Sequence, residues 1–179
     1  MTDDADKEHG MSELGRQFIA GQLAHMRELS LLFAPNINSY KRYVPGSFAP
    51  TAIRWGRDNR TCAFRLVGRG AGLRLENRIP GGDVNPYLAV SGIIAAGLDG
   101  ITKKMKLEPA FSGNAYISDS PRVPSTMNEA LDLWENSAWV KETFGEEVQA
   151  HYANMARVEI AAYGKAVTDW ELFRNFERF

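Results

Sequence analysis

Three short stretches with the composition of β-strands lie in the middle of this 179-residue chain, at Thr51–Trp55, Thr61–Val67 and Leu73–Ile79. Turns containing glycine, aspartate or asparagine separate them. Segments with the apolar spacing of helices precede and follow these stretches. Strands grouped between helices are typical of the α+β class, and we therefore predict an α+β fold with a small sheet.

The helix before the strands is predicted from Ser12, which can cap it, to Phe33, because Pro35 follows. Its apolar residues recur at helical spacing, at Leu14, Phe18, Leu23, Met26, Leu29 and Phe33. The segment Asn36–Pro50 is rich in proline and polar residues and is predicted to be a long loop.

Four helices are predicted after the strands, and a second loop, Pro109–Pro124, separates the first of them from the rest. The helices are predicted at Asn85–Met105, Thr126–Asn136, Ala138–Phe144 and Glu146–Trp170. Small residues in the first of these helices indicate close packing against a neighbouring backbone. In the last helix, a buried stripe is predicted from Val148, Tyr152, Met155, Tyr163, Val167 and Trp170.

Arginine is concentrated around the predicted strands. From Arg42 to Arg78 there are eight arginines, no lysine and two acidic residues, Asp58 and Glu76, although the formal net charge of the chain is only −1. A solvated basic face would normally include lysine, whereas a guanidinium suits bidentate binding of carboxylate or phosphate. This choice favours an anion site over a solvated face. The period of a strand places Arg74, Glu76 and Arg78 on one face of the third strand.

Several functions find no support in the sequence. The charge balance gives no reason to expect a nucleic-acid or membrane partner, and no apolar run approaches the roughly 20 residues of a membrane span.

Cys62 is the single cysteine, which suits a cytoplasmic protein, and its apolar neighbours predict a small core residue. The three histidines lie far apart, and His25 is either a structural residue or a catalytic one, with the structural role favoured.

Several motifs resemble, in order and spacing, those of the glutamine synthetase family. They are NSYKR at Asn38–Arg42, VPGSFAP at Val44–Pro50, NR at Asn59–Arg60 with Arg65 five residues later, ENRIP at Glu76–Pro80 and NPYLA at Asn85–Ala89. Phe18–His25 and Val167–Glu171 are also similar to the family. The resemblance implies that residues 1–179 are the C-terminal part of the family's catalytic domain, with short antiparallel strands lined with arginine and flanked by helices. An N-terminal β-grasp domain and the first part of the catalytic domain would be missing.

The resemblance also implies roles for individual residues. Arg42 is similar to the arginine that holds the glutamate carboxylate, and Arg60 and Arg65 to the pair that binds the ATP phosphates. Arg78 resembles the arginine that neutralises the transferring phosphoryl group and the glutamate side chain, so that Arg60 and Arg78 are the expected catalytic residues, both also contacting substrate. Glu76 resembles a ligand of one of the two divalent metal ions.

The expected reaction is an ATP-dependent ligation that needs Mg²⁺ or Mn²⁺. Glutamate would be phosphorylated on its γ-carboxylate, and an amine or ammonia would displace phosphate. The family assembles as stacked rings, so a homo-oligomer, a dodecamer, is expected for the complete protein, while the isolated chain is expected to be inactive.

The amine site departs from the ammonia-using pattern at Phe48. Family members that use ammonia have a glutamate at this position, and a phenyl ring cannot take a proton. The substitution favours an amine larger than ammonia, with a purely packing role for Phe48 as the alternative. A true glutamine synthetase fragment and a non-catalytic remnant also remain open. Tyr116 lies near the position of a modified tyrosine in some family members, but its surroundings differ.

Overall fold

A small sheet flanked by helices forms the architecture, which confirms the predicted α+β class. The computed structural model describes residues 2–3, 6 and 8–178. The helices are α1 (Glu13–Ala24), α2 (Ser30–Phe33), α3 (Pro86–Thr102), α4 (Met127–Glu135), α5 (Ala138–Phe144), α6 (Glu146–Tyr163) and α7 (Asp169–Asn175). The strands are β1 (Ala52–Arg57), β2 (Cys62–Val67) and β3 (Arg74–Asn77), in the order β1-β2-β3. Short 3₁₀ helices occupy Ile37–Arg42, Gly70–Gly72 and Ala115–Ile117.

The strands are not all antiparallel. β2 and β3 are antiparallel, as expected, but β1 and β2 run parallel, with Gly56 beside Arg65. The four residues between β1 and β2 do not form a hairpin, because the paired residues of both strands advance together, from Trp55 beside Phe64 to Arg57 beside Leu66. Asp58 has a left-handed φ of 49°, and the Asn59 carboxamide accepts a hydrogen bond from the Thr61 amide at 3.0 Å. The composition of the turn alone did not predict the parallel pairing of these two strands.

The predicted first helix is two helices. Ser12 caps α1 as expected, accepting a hydrogen bond from the Gly15 amide at 3.1 Å, but α1 ends at Ala24 and α2 begins at Ser30. All four residues of α2 are buried. A straight helix with one apolar face could not bury four consecutive residues, so the chain bends between the two helices.

The predicted last helix is also divided, and its predicted stripe is wrong. α6 ends at Tyr163, and α7 begins after a capping box formed by Thr168 and Glu171. The buried residues of α6 are the small or polar Gln149, Ala153 and Ala156. Small side chains allow close packing of helices, whereas five of the six predicted residues are exposed: Val148, Met155, Tyr163, Val167 and Trp170.

The core joins the sheet to the helices. Its largest fully buried side chains include Trp55, Phe64, Phe33 and Trp134. α1 and α3 approach closely at glycine, as the small residues of α3 indicated: a Cβ on Gly21 would lie 2.1 Å from the Ala96 carbonyl oxygen. Within the described residues, no helix is long and apolar enough to span a membrane.

Candidate functional site

An arginine–glutamate cluster lies on the polar face of β2 and β3. The antiparallel register places Arg65 opposite Glu76, and Nη1 of Arg65 lies 3.1 Å from Oε2 of Glu76. Arg74 and Arg78 each bring a guanidinium nitrogen to 3.7 Å from the same carboxylate. Three guanidiniums thus surround one carboxylate. Two of them, those of Arg74 and Arg78, were predicted to share a strand face with Glu76.

Asp58 holds the other side of the Arg65 guanidinium. Nε of Arg65 donates to Oδ1 of Asp58 at 2.9 Å, and a second nitrogen of the same guanidinium also contacts this oxygen. The hydrogen bond from Arg65 lowers the pKa of the Asp58 carboxyl below its usual value. Asp58 was not predicted as a site residue, although it and Glu76 are the two acids of the arginine-rich segment. That scarcity was the available signal.

Arg78 connects the cluster to the loop that contains Phe48. Its backbone amide donates to the Ala63 carbonyl at 2.9 Å, which fixes the residue just beyond β3. Its Nη2 donates to the Phe48 carbonyl oxygen at 2.8 Å. Nε of Arg78 is buried and has no hydrogen-bond partner within the described part of the chain. Arg78 therefore retains one donor that an anion or a water molecule can accept.

Phe48 presents an exposed ring at the tip of its loop. The residue is 65% exposed, and its backbone has a left-handed φ of 60°. Such a φ costs a non-glycine residue roughly 1–2 kcal/mol, so surrounding contacts must hold it. The hydroxyl of Ser47 contributes by donating to the Val44 carbonyl at 2.6 Å.

Arg42 lies at the base of the same loop, next to the end of β3. Its guanidinium donates to the Ile79 carbonyl oxygen, which also accepts the Tyr43 hydroxyl at 3.0 Å. The guanidinium carbon stands 5.1 Å from the centre of the Tyr43 ring. The structure thus gathers Arg42 and Phe48 around Arg78.

Arg60 occupies a different place. It lies in the connection between β1 and β2 and lines an open cleft of about 560 Å³ that includes Arg57, Asn59 and Phe111. Among the described residues it forms no hydrogen bond or ion pair with Glu76. Its electrostatic link to the cluster runs through Asp58, whose pKa it helps to lower. That Arg60 and Arg65 bind the same ATP phosphates therefore remains a prediction.

The described residues do not build a metal site by themselves. They contain no group of three or more His, Cys, Asp or Glu side chains placed to hold a metal ion. Glu76 can supply carboxylate oxygens, but a divalent cation such as Mg²⁺ needs several ligands, and the three nearby guanidiniums compete for this carboxylate.

Two residues considered for chemistry are buried in the structure. Cys62 is fully buried, and burial raises the pKa of its thiol to about 11, in agreement with a core role. The His25 ring stacks on Trp139 with centroids 3.7 Å apart, and its Nε2 lies 2.8 Å from Oδ2 of Asp99. His25 also contacts Glu28. These partners connect α1, α3 and α5, which supports the structural role.

Comparison with known proteins gives a consistent family assignment. Residues 1–175 match the family model described as glutamine synthetase, catalytic domain. A gamma-glutamylethanolamide synthetase of Streptomyces coelicolor is 63% identical over 169 residues, covering 94% of this chain and 37% of that protein. A glutamate–isopropylamine ligase of a Pseudomonas species is 40% identical over 171 residues, covering 93% of this chain and 37% of that protein. The chain therefore spans little more than a third of these two relatives.

A solved structure agrees with the sequence comparison. GmaS in complex with ADP superposes with a TM-score of 0.84 at 31% identity, covering 96% of this chain and 41% of that chain. The three-stranded sheet and its flanking helices are thus an arrangement that a longer, nucleotide-bound protein contains.

Proposed function

The chain belongs to the glutamine synthetase family, and we propose that it forms the C-terminal part of an ATP-dependent ligase joining glutamate to an amine larger than ammonia. The observation that carries the proposal is the 63% identity to a gamma-glutamylethanolamide synthetase, over 94% of this chain. The exposed Phe48 in the loop next to Arg78 supports the choice of an alkylamine.

The arginines would serve the phosphoryl-transfer step. Phosphorylation of a carboxylate places additional negative charge on phosphoryl oxygens, and fixed guanidiniums stabilise this charge without reorganisation. Arg78, whose buried Nε has no hydrogen-bond partner among the described residues, would donate to such an oxygen. Arg65 is held rigidly between Asp58 and Glu76 and contributes positive potential from the sheet.

Arg42 would bind glutamate, and Arg60 would bind ATP. We assign Arg42 to the glutamate carboxylate, because a guanidinium binds carboxylate bidentately, and Arg60 to ATP phosphate in its open cleft. ATP and a divalent metal are general to the family. Glu76 would give one ligand to the metal, and the other ligands would come from outside this chain.

The amine would be bound at the ring of Phe48. A phenyl ring offers an apolar wall for an alkyl group, and its face attracts an ammonium group by about 0.5–1 kcal/mol at an exposed site. It offers no base, so ammonia would lose the carboxylate that an ammonia-using site provides.

Assembly and location are part of the same proposal. We place the complete protein in the cytoplasm, as a homo-oligomer of stacked rings. Apolar side chains are exposed on α3 and α7, among them Tyr87, Ile94 and Phe173. Their exposure supports an assembly in which other subunits, or other parts of the complete protein, cover these helices. Residues 1–179 would then be part of a catalytic domain, without turnover of their own.

A chimera tests the function. The matching segment of the Streptomyces coelicolor synthetase would be replaced by this chain, and phosphate release would be measured with ATP, glutamate and either ethanolamine, isopropylamine or ammonium. We expect ligation with an alkylamine at a higher kcat/KM than with ammonium, and none from the isolated chain. A folded, assembled chimera without turnover, or one that prefers ammonium, would overturn the proposal.

A further inference from the structure

The Phe48 loop is held at two consecutive carbonyl groups by side chains from separate parts of the chain. Arg78, just beyond β3, donates to the Phe48 carbonyl at 2.8 Å. Tyr116, in the 3₁₀ helix Ala115–Ile117, donates its hydroxyl to the Ala49 carbonyl at 2.9 Å. These two hydrogen bonds, which we term the carbonyl clamp, hold the two successive peptide groups that follow the exposed phenyl ring.

We propose that Tyr116 is a positioning residue for amine selection, which with Arg78 fixes the direction of the Phe48 ring. The kinetic part of this inference rests on the proposed function, whereas the structural part stands alone. A left-handed φ such as the 60° of Phe48 persists only where neighbouring contacts over-determine it. Anchoring the carbonyls of Phe48 and Ala49 supplies those contacts on the C-terminal side of the strained residue.

Tyr116 is itself rigidly supported, so that it can act as an anchor. Its backbone amide donates to Oδ1 of Asn114 at 3.0 Å, and its carbonyl accepts from Nη2 of Arg122 at 2.9 Å. Nη1 of the same Arg122 donates to the Thr51 hydroxyl at 3.0 Å, next to the start of β1. Tyr116 and Arg122 therefore connect the Phe48 loop to the sheet by hydrogen bonds.

The two residues of the carbonyl clamp differ in their other contacts. Arg78 also faces the Glu76 carboxylate at 3.7 Å, so its removal would affect phosphoryl transfer as well as the loop. The Tyr116 hydroxyl donates a hydrogen bond to the loop carbonyl and makes none, within the described residues, to the arginine–glutamate cluster, although the charge of nearby Arg78 acts on it. Tyr116→Phe therefore removes the hydrogen bond to the loop and keeps the ring.

The first test is amide hydrogen exchange on the 179-residue chain, which needs no activity. The Ser47 amide donates to the Val44 carbonyl at 3.1 Å, and the Ala49 amide donates to the Ser47 hydroxyl oxygen at 3.3 Å, so both report on the loop. Losing one hydrogen bond is expected to speed their exchange by about five-fold in Tyr116→Phe, with β2 and β3 unchanged. Tyr87→Phe, at an exposed tyrosine of α3, is the matched control.

The second test uses the chimera described above. Tyr116→Phe is expected to raise the KM for the alkylamine by about five-fold and to reduce discrimination among amines, with kcat and the KM for ATP and glutamate within about two-fold. Unchanged loop exchange together with unchanged amine KM would overturn the inference while leaving the proposed function intact. A uniform fall in kcat for all substrates would also overturn it. Without any ligase activity in the chimera, the proposed function fails, and the exchange result alone decides whether the clamp exists.

Discussion

Arg65 and Glu76 stand opposite each other on β2 and β3, and their side chains meet with 3.1 Å between Nη1 and Oε2. Arg65 also binds Asp58, so its guanidinium joins the connection between β1 and β2 to the polar face of the sheet. Glu76 in turn lies 3.7 Å from both Arg74 and Arg78. A carboxylate that sits among several guanidiniums attenuates their mutual repulsion and keeps them oriented in the absence of an anionic ligand.

We expect Glu76→Gln to separate stability from activity. The ion pair is partly exposed, and such pairs contribute at most about 1 kcal/mol, so the free energy of unfolding should change by less than that. The chimera should lose most of its turnover, because a neutral amide is a poorer ligand for a divalent cation. Chemical denaturation and phosphate release measure the two effects. Asp58→Asn, which removes the other partner of Arg65, is the control and should retain most of the turnover.

Arg78→Ala and Arg60→Ala should each lower turnover of the chimera by roughly 100-fold or more. Removing a donor aimed at developing charge typically costs about 3–4 kcal/mol of transition-state stabilisation. Arg69→Ala is the control, because Arg69 is exposed beside the Gly70–Gly72 turn and should have little effect. Comparable losses from all three substitutions would mean that the arginines form a general basic surface.

The class of the fold and the shared strand face of three residues could be predicted from the sequence for physical reasons. Alternation along β3 follows from backbone geometry, so the common face of Arg74, Glu76 and Arg78 could be predicted before the structure. The roles expected for Arg42 and Phe48 came from the family resemblance. The resemblance likewise suggested Arg60 as a site residue, but its actual position depends on how the chain returns between β1 and β2.

What could not be predicted depends on contacts between distant residues. β1 and β2 pair in parallel, and Asn59 in the connection between them donates to the distant Gly113 carbonyl at 2.9 Å. The hydrogen bond from Tyr116 to Ala49 spans 67 positions. In α6 the apolar spacing misled, because small residues such as Ala153 and Ala156 form the packed face while larger apolar side chains remain outside.

The isolated chain should self-associate. α3 presents Tyr87, Val90, Ile94 and Leu98 along one exposed face. α7 exposes Trp170, Leu172 and Phe173, and Phe176 is exposed at its C-terminal end. Apolar patches of this kind mark interfaces or aggregation sites. Multi-angle light scattering should show a mass that rises with protein concentration, and charged substitutions on the α3 face, such as Ile94→Lys, should lower it. A stable monomer with cooperative thermal unfolding would contradict this expectation.

The stability of the chain should fall as the pH rises above neutrality, through His25. Burial of the ring lowers the pKa of His25, but hydrogen bonds to Glu28 and Asp99 outweigh this and raise it above 6.5. A raised folded-state pKa gives stability that is complete below 6.5 and is lost as the pH rises through the folded value. The other charged or polar groups on this cluster are Lys103, 3.0 Å from Asp99, and Ser137, which contacts Glu28.

Urea unfolding of the chain and of His25→Gln between about pH 5 and pH 9 measures this effect. The difference in unfolding free energy between them should be largest near the acidic end and shrink towards the basic end. His151→Gln, at an exposed position of α6, should follow the parent chain at every pH. A difference that stays constant with pH would show that His25 contributes through its stacking on Trp139 alone.

The amine preference should depend on Phe48. A nucleophilic amine must reach the acyl phosphate unprotonated, and an ammonia-using site attracts ammonium and removes its proton with a nearby carboxylate. The exposed Phe48 ring provides apolar contact instead, so Phe48→Glu in the chimera should raise kcat/KM for ammonium and lower it for isopropylamine.

Phe48→Leu is the matched control: it keeps an apolar side chain without a base and should not gain activity with ammonium. Because Arg78 and Tyr116 anchor the two carbonyl groups that follow the Phe48 Cα, the new carboxylate should start from the same Cα as the phenyl ring. Competition between ammonium and isopropylamine in one reaction, read by mass spectrometry of the products, gives the ratio of the two kcat/KM values. An unchanged ratio in Phe48→Glu would mean that Phe48 only packs its loop and that the base lies elsewhere in the complete enzyme.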